Sequence, residues 1–229
     1  MRVALFVTCL VDLMRPRIGF AALDLLEAAG CEVTVPAAQT CCGQPAFNSG
    51  DRALATQLAQ KTIAEFEGFD YVVAPSGSCA DQVRSEYPGL FAEGSEWRRR
   101  AEALAPKVFE LTDFLANVLK VEAVPGRFDG SVTYHDSCHL NRYLGVTKEQ
   151  RELLKATKGV ELIEMHDCDK CCGFGGSYSV KFPEMSAPIL EEKINNIVAS
   201  GADVVAVDCP GCLLQIRGGL DARGLNNIQ

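Results

Sequence analysis

Arg2-Val-Ala-Leu-Phe-Val-Thr-Cys9 and Ser131-Val-Thr-Tyr-His-Asp-Ser-Cys138 are one phrase written twice, a β-rich run that ends in a cysteine. About thirty residues after each copy comes Cys-Cys-Gly, at Cys41-Cys42-Gly43 and at Cys171-Cys172-Gly173. About forty residues further on stands another cysteine, Cys79 in the first half and Cys212 in the second. Between these marks the two halves also run in parallel. A helical stretch ends at Gly30 in one and spans Thr147 to Lys158, ending at Gly159, in the other, and both glycines suit the residue just past a helix. Thr147-Lys-Glu-Gln150 reads as a capping box. A second strand follows, Cys31 to Val35 and Val160 to Glu164, then a longer helix, Asp51 to Phe66 and Glu184 to Ala199. An apolar strand, Tyr71 to Ala74 and Val204 to Val207, closes each unit.

Strand, helix, strand, helix, strand, repeated, predicts an α/β protein of two pseudo-symmetric units, each with a parallel sheet. Right-handed crossovers put every strand's C-terminal end on one edge, where open α/β sheets bind ligands. Cys9, Cys79, Cys138 and Cys209 all fall just past such ends, so the pattern predicts two nests of thiols, one per unit. Residues 95–124 have no counterpart in the second half and read as one or two helices, Ser95 to Ala105 and Thr112 to Leu119. The linker Val124-Pro-Gly-Arg127 places the boundary between a first unit, 1–126, and a second, 127–229.

Composition narrows the function. The 229 residues, 48% hydrophobic and 23% charged, suit one large domain or two small ones. No apolar run approaches the roughly 20 residues of a membrane span. Met1-Arg2 leads straight into a strand too short for a signal sequence, so the expected location is cytoplasmic. In that reducing compartment eleven cysteines argue for metal or redox chemistry rather than disulfides. A net charge of −8, from 22 basic and 30 acidic residues, argues against nucleic acid as a partner. Arg98-Arg99-Arg100 reads as a solvated helix face.

The second frame offers five thiols, Cys138, Cys171, Cys172, Cys209 and Cys212. The first offers four, Cys9, Cys41, Cys42 and Cys79, because Ser76-Gly-Ser-Cys79 stands where Cys209-Pro-Gly-Cys212 would lead one to expect Cys-x-x-Cys. A structural zinc on Cys168-x-x-Cys171 and Cys209-x-x-Cys212 would leave Cys138, Cys172 and the whole first frame without a role. Adjacent thiolates strain on one tetrahedral ion and fit better on a larger cluster. Iron–sulfur is therefore the preferred centre, with a zinc-stabilised scaffold as a rival. Gly43, Gly173, Gly175 and Gly176 supply flexible backbone whose N–H groups can approach cluster sulfides. Cys31 reads as a small buried hydrophobe and Cys168 as a nearby free thiol. His135 and His139 read as satisfied histidines, and Arg15, Arg17 and Lys181 as surface positions. Gly173-Phe-Gly-Gly176 lacks the spacing of a dinucleotide fingerprint. With no flavin, nicotinamide or ferredoxin-type motif, the chain needs a partner to carry electrons away.

The doubled Cys … Cys-Cys-Gly … Cys frame resembles the cysteine-rich CCG domain family, which includes heterodisulfide reductase B and the glycolate oxidase iron–sulfur subunit. The likeness spans nearly all of residues 1–226. Leu5-Phe-Val-Thr-Cys-Leu-Val-Asp12, Cys41-Cys-Gly-Gln-Pro-Ala-Phe-Asn-Ser-Gly50, Pro75-Ser-Gly-Ser-Cys79, Glu110-Leu-Thr-Asp-Phe114 and Cys171-Cys-Gly-Phe-Gly-Gly176 bring it nearest to the family's lactate-utilization branch. The resemblance implies an electron-transfer subunit of an oxidoreductase complex that takes L-lactate to pyruvate. It implies iron–sulfur clusters of the 4Fe-4S kind, with room for a non-cubane cluster in the second unit. Its partners would be a ferredoxin-type iron–sulfur protein resembling lactate-utilization protein B and a further subunit. The alternative is a disulfide or heterodisulfide reductase component that works through a CCG-bound cluster. Ser76 departs from the five-cysteine frame of heterodisulfide reductase B. The resemblance also leads one to expect a further strand and helix past Asn226-Asn-Ile-Gln229.

Overall fold

Val3, Ala4 and Leu5 are fully buried, and their run Arg2–Leu5 forms β1, an inner strand of a parallel sheet. The computed structural model describes residues 1–229, which divide into two compact units, Met1–Lys120 and Val121–Gln229. In the first unit β1 pairs with β2 (Glu32–Thr34) on one side and β3 (Tyr71–Ala74) on the other. Beyond β3 lies β4 (Val108–Glu110), giving the order β2-β1-β3-β4. Every pairing is parallel. Val72, Val73 and Ala74 are as buried as β1, the signature of strands covered by helices on both faces. The chain leaves the helix Pro16–Ala28 through Gly30, at φ 82°, with Gly30 N–H donating to the Glu27 carbonyl and Cys31 N–H to that of Leu26.

The second unit repeats the order: β6 (Lys158–Leu162), β5 (Arg127–His135) and β7 (Val204–Val207) lie as β6-β5-β7, again all parallel. Its core gathers Ile194, Ile197, Val205, Ile216 and Leu220 around Cys172, Cys209 and Cys212. The helices Arg52–Phe66 and Pro183–Ser200 fill equivalent places, the first capped by Asp51, whose carboxylate accepts from Leu54 N–H. No helix of the chain is long and apolar enough to cross a membrane.

Three local expectations are corrected. The capping box does not form: the helix runs Glu149–Ala156, and the Glu149 carboxylate turns back to accept from Thr147 and Lys148 N–H at 3.1 Å. Gly159 is not a helix cap but part of β6, at φ 85°, opposite a register shift in β5 between Arg127 and Gly130. A Cβ there would lie 2.7 Å from the Phe128 carbonyl oxygen, so close strand approach requires the glycine. Finally, residues 95–124 contain β4 as well as the helix Glu96–Leu104. The strand is three residues long, too short for a period of two to announce it.

The arginine cluster is tied internally. Arg98 bonds Glu102, Arg99 the Gly94 carbonyl, and Arg100 makes a two-point pair with Glu67 at 2.7 and 2.9 Å while lying over Trp97. Hydrogen bonds from Arg100 hold the Glu67 carboxyl below its ordinary range. A depressed carboxyl stabilises above its unfolded pKa, and the benefit disappears as pH falls through the folded value. Glu67→Gln should therefore be less stable than the parent at neutral pH. The gap should close on acidification below about pH 4, which urea unfolding at the two pH values checks.

Candidate metal centres

In the first unit three loops at the C-terminal ends of the strands bring four thiols together. The loop after β1 enters the helix Cys9–Met14 through Thr8, a buried β-branched residue held at φ 73°. Such a residue at positive φ is strained and needs surroundings that fix it. Gln39 supplies part of them: its side-chain oxygen accepts from Val7 N–H at 2.8 Å, and its amide donates to the carbonyls of Leu5 and Pro36. This one side chain stitches the loop after β1 to the loop after β2. Tyr87, fully buried, donates from its hydroxyl to the Cys42 carbonyl at 2.8 Å and anchors the Cys-Cys turn from beneath.

The thiols form a connected series. Cys9 hydrogen-bonds Cys41, Cys41 hydrogen-bonds Cys42, and the Cys42 thiol donates to Cys79 Sγ at 3.4 Å. Bonds from Cys42 and Cys9 pull the Cys41 thiol down to about 3, and the same bonds push Cys9 and Cys42 up, with burial adding to both. The second unit repeats this with one thiol more: Cys138 to Cys171, Cys171 to Cys172, Cys172 to Cys212, and Cys212 to Cys209. Cys171 is pulled to about 2 by Cys138 and Cys172, while its bond to Cys172 lifts the latter to about 12. In both units the bonds from neighbouring thiols favour the anionic form of the first cysteine of the pair. Its Sγ also accepts the N–H of the following glycine, Gly43 at 3.4 Å and Gly173 at 3.3 Å.

Those two glycines sit at φ 84° and 85°, and a Cβ on Gly173 would meet the Ser186 carbonyl at 2.8 Å. Gly175 and Gly176 are also at positive φ. The sequence gives less notice of Gly211, inside Cys209-Pro-Gly-Cys212, where a Cβ would lie 2.5 Å from the Phe174 ring. Gly211→Ala should cost about 1–3 kcal/mol through this overpacking and pull the glycine loop away from Cys212. A denaturation midpoint unchanged from the parent would contradict that packing.

The extra thiol has a structural explanation. Ser76 and Cys209 occupy the same place, the residue before the helix that carries Cys79 or Cys212. Ser76, fully buried, uses its hydroxyl to cap that helix, accepting from Cys79 N–H at 3.4 Å. Cys209 makes no such cap. The first unit therefore spends this position on helix geometry, and the second keeps a thiol there.

Exposure is graded in the same way in both groups. Cys42, Cys79, Cys172, Cys209 and Cys212 are buried, whereas Cys9, Cys41, Cys138 and Cys171 are half-buried. In the first unit Cys9 and Cys41 open on a cavity of about 420 Å³, walled also by Thr8, Asp12, Leu13, Val35 and Gln39. Cys31 lies apart at the buried start of β2, and Cys168 hydrogen-bonds Asp136 rather than another thiol. Arg15, Arg17 and Lys181 are exposed. His139 packs against Tyr143 in a tilted arrangement, with ring centroids 5.3 Å apart.

Around the second group lies a shell of buried polar residues that the sequence did not announce. Asp208 accepts from the hydroxyls of Tyr134 and Ser137, and burial lifts its carboxyl to about 7. Lys193, 1% exposed, donates to the carbonyls of Asp167 and Cys168 at 2.7 and 3.1 Å, and burial lowers its pKa. A cation this deep beside Cys172 favours negative charge on the thiol group. Soft sulfur donors in groups of four and five, with backbone N–H groups aimed at sulfur, are a donor set that fits an iron–sulfur centre.

Comparison with known proteins agrees with this architecture. The family model of the CCG cysteine-rich domain matches twice, over residues 3–84 and 132–217. The chain is 48% identical over 225 residues to lactate utilization protein A of Geobacillus sp. (strain WCH70), covering 98% of this chain and 94% of that one. Identity to the protein of the same name in Shouchella clausii is 48%, over 98% and 93% of the two chains. For that of Bacillus subtilis it is 45%, over 99% and 94%. The chain belongs to the CCG cysteine-rich domain family, with one copy of the domain in each unit, and within it to the family of lactate utilization protein A.

Proposed function

We propose that this chain is an iron–sulfur electron-transfer subunit of a cytoplasmic complex that oxidises L-lactate to pyruvate. The observation that carries the reading is the convergence of four thiols in one unit and five in the other at equivalent strand ends. The lactate part rests on the relatives' names. An iron–sulfur cluster, when bound, supplies one-electron storage and transfer.

Cys9, Cys41, Cys42 and Cys79 would hold a four-iron cluster in the first unit. Cys138, Cys171, Cys172, Cys209 and Cys212 would hold the second, with the fifth thiol giving room for a non-cubane one. Gly43 and Gly173 donate N–H to sulfur and stabilise its negative charge. The buried cysteines shield their side of each centre from water, while the half-buried pairs Cys9/Cys41 and Cys138/Cys171 present an edge toward a partner. Leu13, 77% exposed, and Val35 border that edge in the first unit and suit protein contact. The partner would be a ferredoxin-type iron–sulfur protein resembling lactate-utilization protein B, with a further subunit completing the complex.

The test is lactate-dependent dye reduction by the anaerobically prepared chain, alone and with those partners. The expected result is reduction only with the partners present, lost when Cys42 or Cys172 becomes serine. Full activity from the partners without this chain would overturn the proposal.

A further inference from the structure

His135 ends β5, the central strand of the second unit, and is completely buried. Both ring nitrogens are buried; one is directed at the Cys168 carbonyl and the other has no hydrogen-bond partner. A polar atom left unmatched in a core is costly, so this nitrogen asks for an explanation. The fold does not need the histidine. In the repeated phrase the equivalent residue of the first unit is Phe6, fully buried and packed on Phe66 at 5.0 Å between ring centroids. An apolar ring fills this place without any unsatisfied atom. What differs in the second unit is the neighbourhood: a ring nitrogen of His135 and the sulfurs of Cys172 and Cys212 all lie within 4.8 Å of one another, and all three residues are buried. That spacing matches ligands converging on a single metal ion.

We infer that His135 is a nitrogen ligand of the centre in the second unit, so that this centre is a mixed imidazole–thiolate one, unlike the all-thiolate centre of the first. The inference rests on the iron–sulfur reading proposed above. Imidazole is a good ligand for iron, and it is neutral where a thiolate is anionic. Its presence raises the reduction potential of the centre that carries it. The second unit would then be the better electron acceptor of the two, which gives the transfer a direction.

The chain has three histidines, all in the second unit. His166 is exposed and paired with Asp167, and His139 packs against Tyr143. Any imidazole nitrogen bonded to iron therefore reports on the second unit alone. The experiment is electron–nuclear double resonance on the full-length, dithionite-reduced protein, labelled with nitrogen-15 histidine, with iron and acid-labile sulfide measured on the same sample. The expected result is the strong coupling of a directly bonded nitrogen, kept in His139→Gln and lost in His135→Cys. The latter should also show a lower midpoint potential with sulfide content unchanged. If iron and sulfide are bound but the wild-type protein shows no coupling, or only the weak coupling of a hydrogen-bonded nitrogen, the ligand assignment is overturned while the iron–sulfur reading stands. Coupling that survives in His135→Cys and disappears in His139→Gln also overturns it. Absence of iron and sulfide from the wild-type protein would remove both readings together.

Discussion

Cys172→Ser is expected to empty the second centre and to abolish lactate-dependent electron transfer, whereas Cys31→Ser leaves both intact. Cys172 is 2% exposed and lies between Cys171 and Cys212 in the series of five thiols. A hydroxyl is a poor ligand for iron, and every other thiol in the group meets its neighbours through this position or next to it. The loss should exceed the roughly 10–100-fold that follows from changing a residue which only supports a ligand. Cys31, 9% exposed, is less deeply buried and lies apart from both thiol groups, so its replacement should cost on the order of 1 kcal/mol of stability and no iron. Electron paramagnetic resonance and dye reduction on the two variants compare them directly. Equal signals and equal rates would contradict the assignment.

Arg151→Met carries the largest expected effect on stability. The Arg151 guanidinium grips Asp136 with two parallel hydrogen bonds of 2.8 Å, reaches Glu164 with two more, and lies over the Tyr134 ring. The Asp136 side chain is only 5% exposed. Removing the arginine leaves that carboxylate buried without its cation, a change that typically costs about 3–5 kcal/mol. Asp136 follows His135 and precedes Cys138 by two residues, so the damage falls on the loop that delivers both. Adding Asp136→Asn should recover part of the loss, because the stranded charge goes with it. Guanidinium unfolding of the two variants measures this. A destabilisation under about 1 kcal/mol would mean that the pair behaves as an exposed surface bridge.

What could be read from the chain, and what could not, follows from the range of the forces involved. β3 and β7 were legible residue for residue, because an apolar run closed by turn residues admits few other readings. The cysteine frames were legible because thiols at repeated spacings leave little choice of chemistry. β4 was hidden by its length. The misread cap at Thr147 shows a different limit: Glu149 and Gln150 are both capable of closing the turn, and tertiary packing decides, since Gln150 is buried away from the N–H groups that Glu149 accepts from. Lys193 and Asp208 were illegible for the same reason. A charged residue in an amphipathic helix or a loop gives no sign that tertiary packing will bury it. His135 was read as a satisfied core histidine, the ordinary case, and the aligned Phe6 was the one available hint that an unusual group stood there.

The most direct measurement of the central claim is the metal and sulfide content of anaerobically prepared protein, taken for the wild type and for Cys42→Ser and Cys172→Ser. Two iron–sulfur centres, one per unit, predict about eight iron and about eight sulfide per chain. They also predict that each variant retains roughly half, from the unit left unaltered. Zinc without acid-labile sulfide, or a single variant that strips the iron from both units at once, would contradict the account.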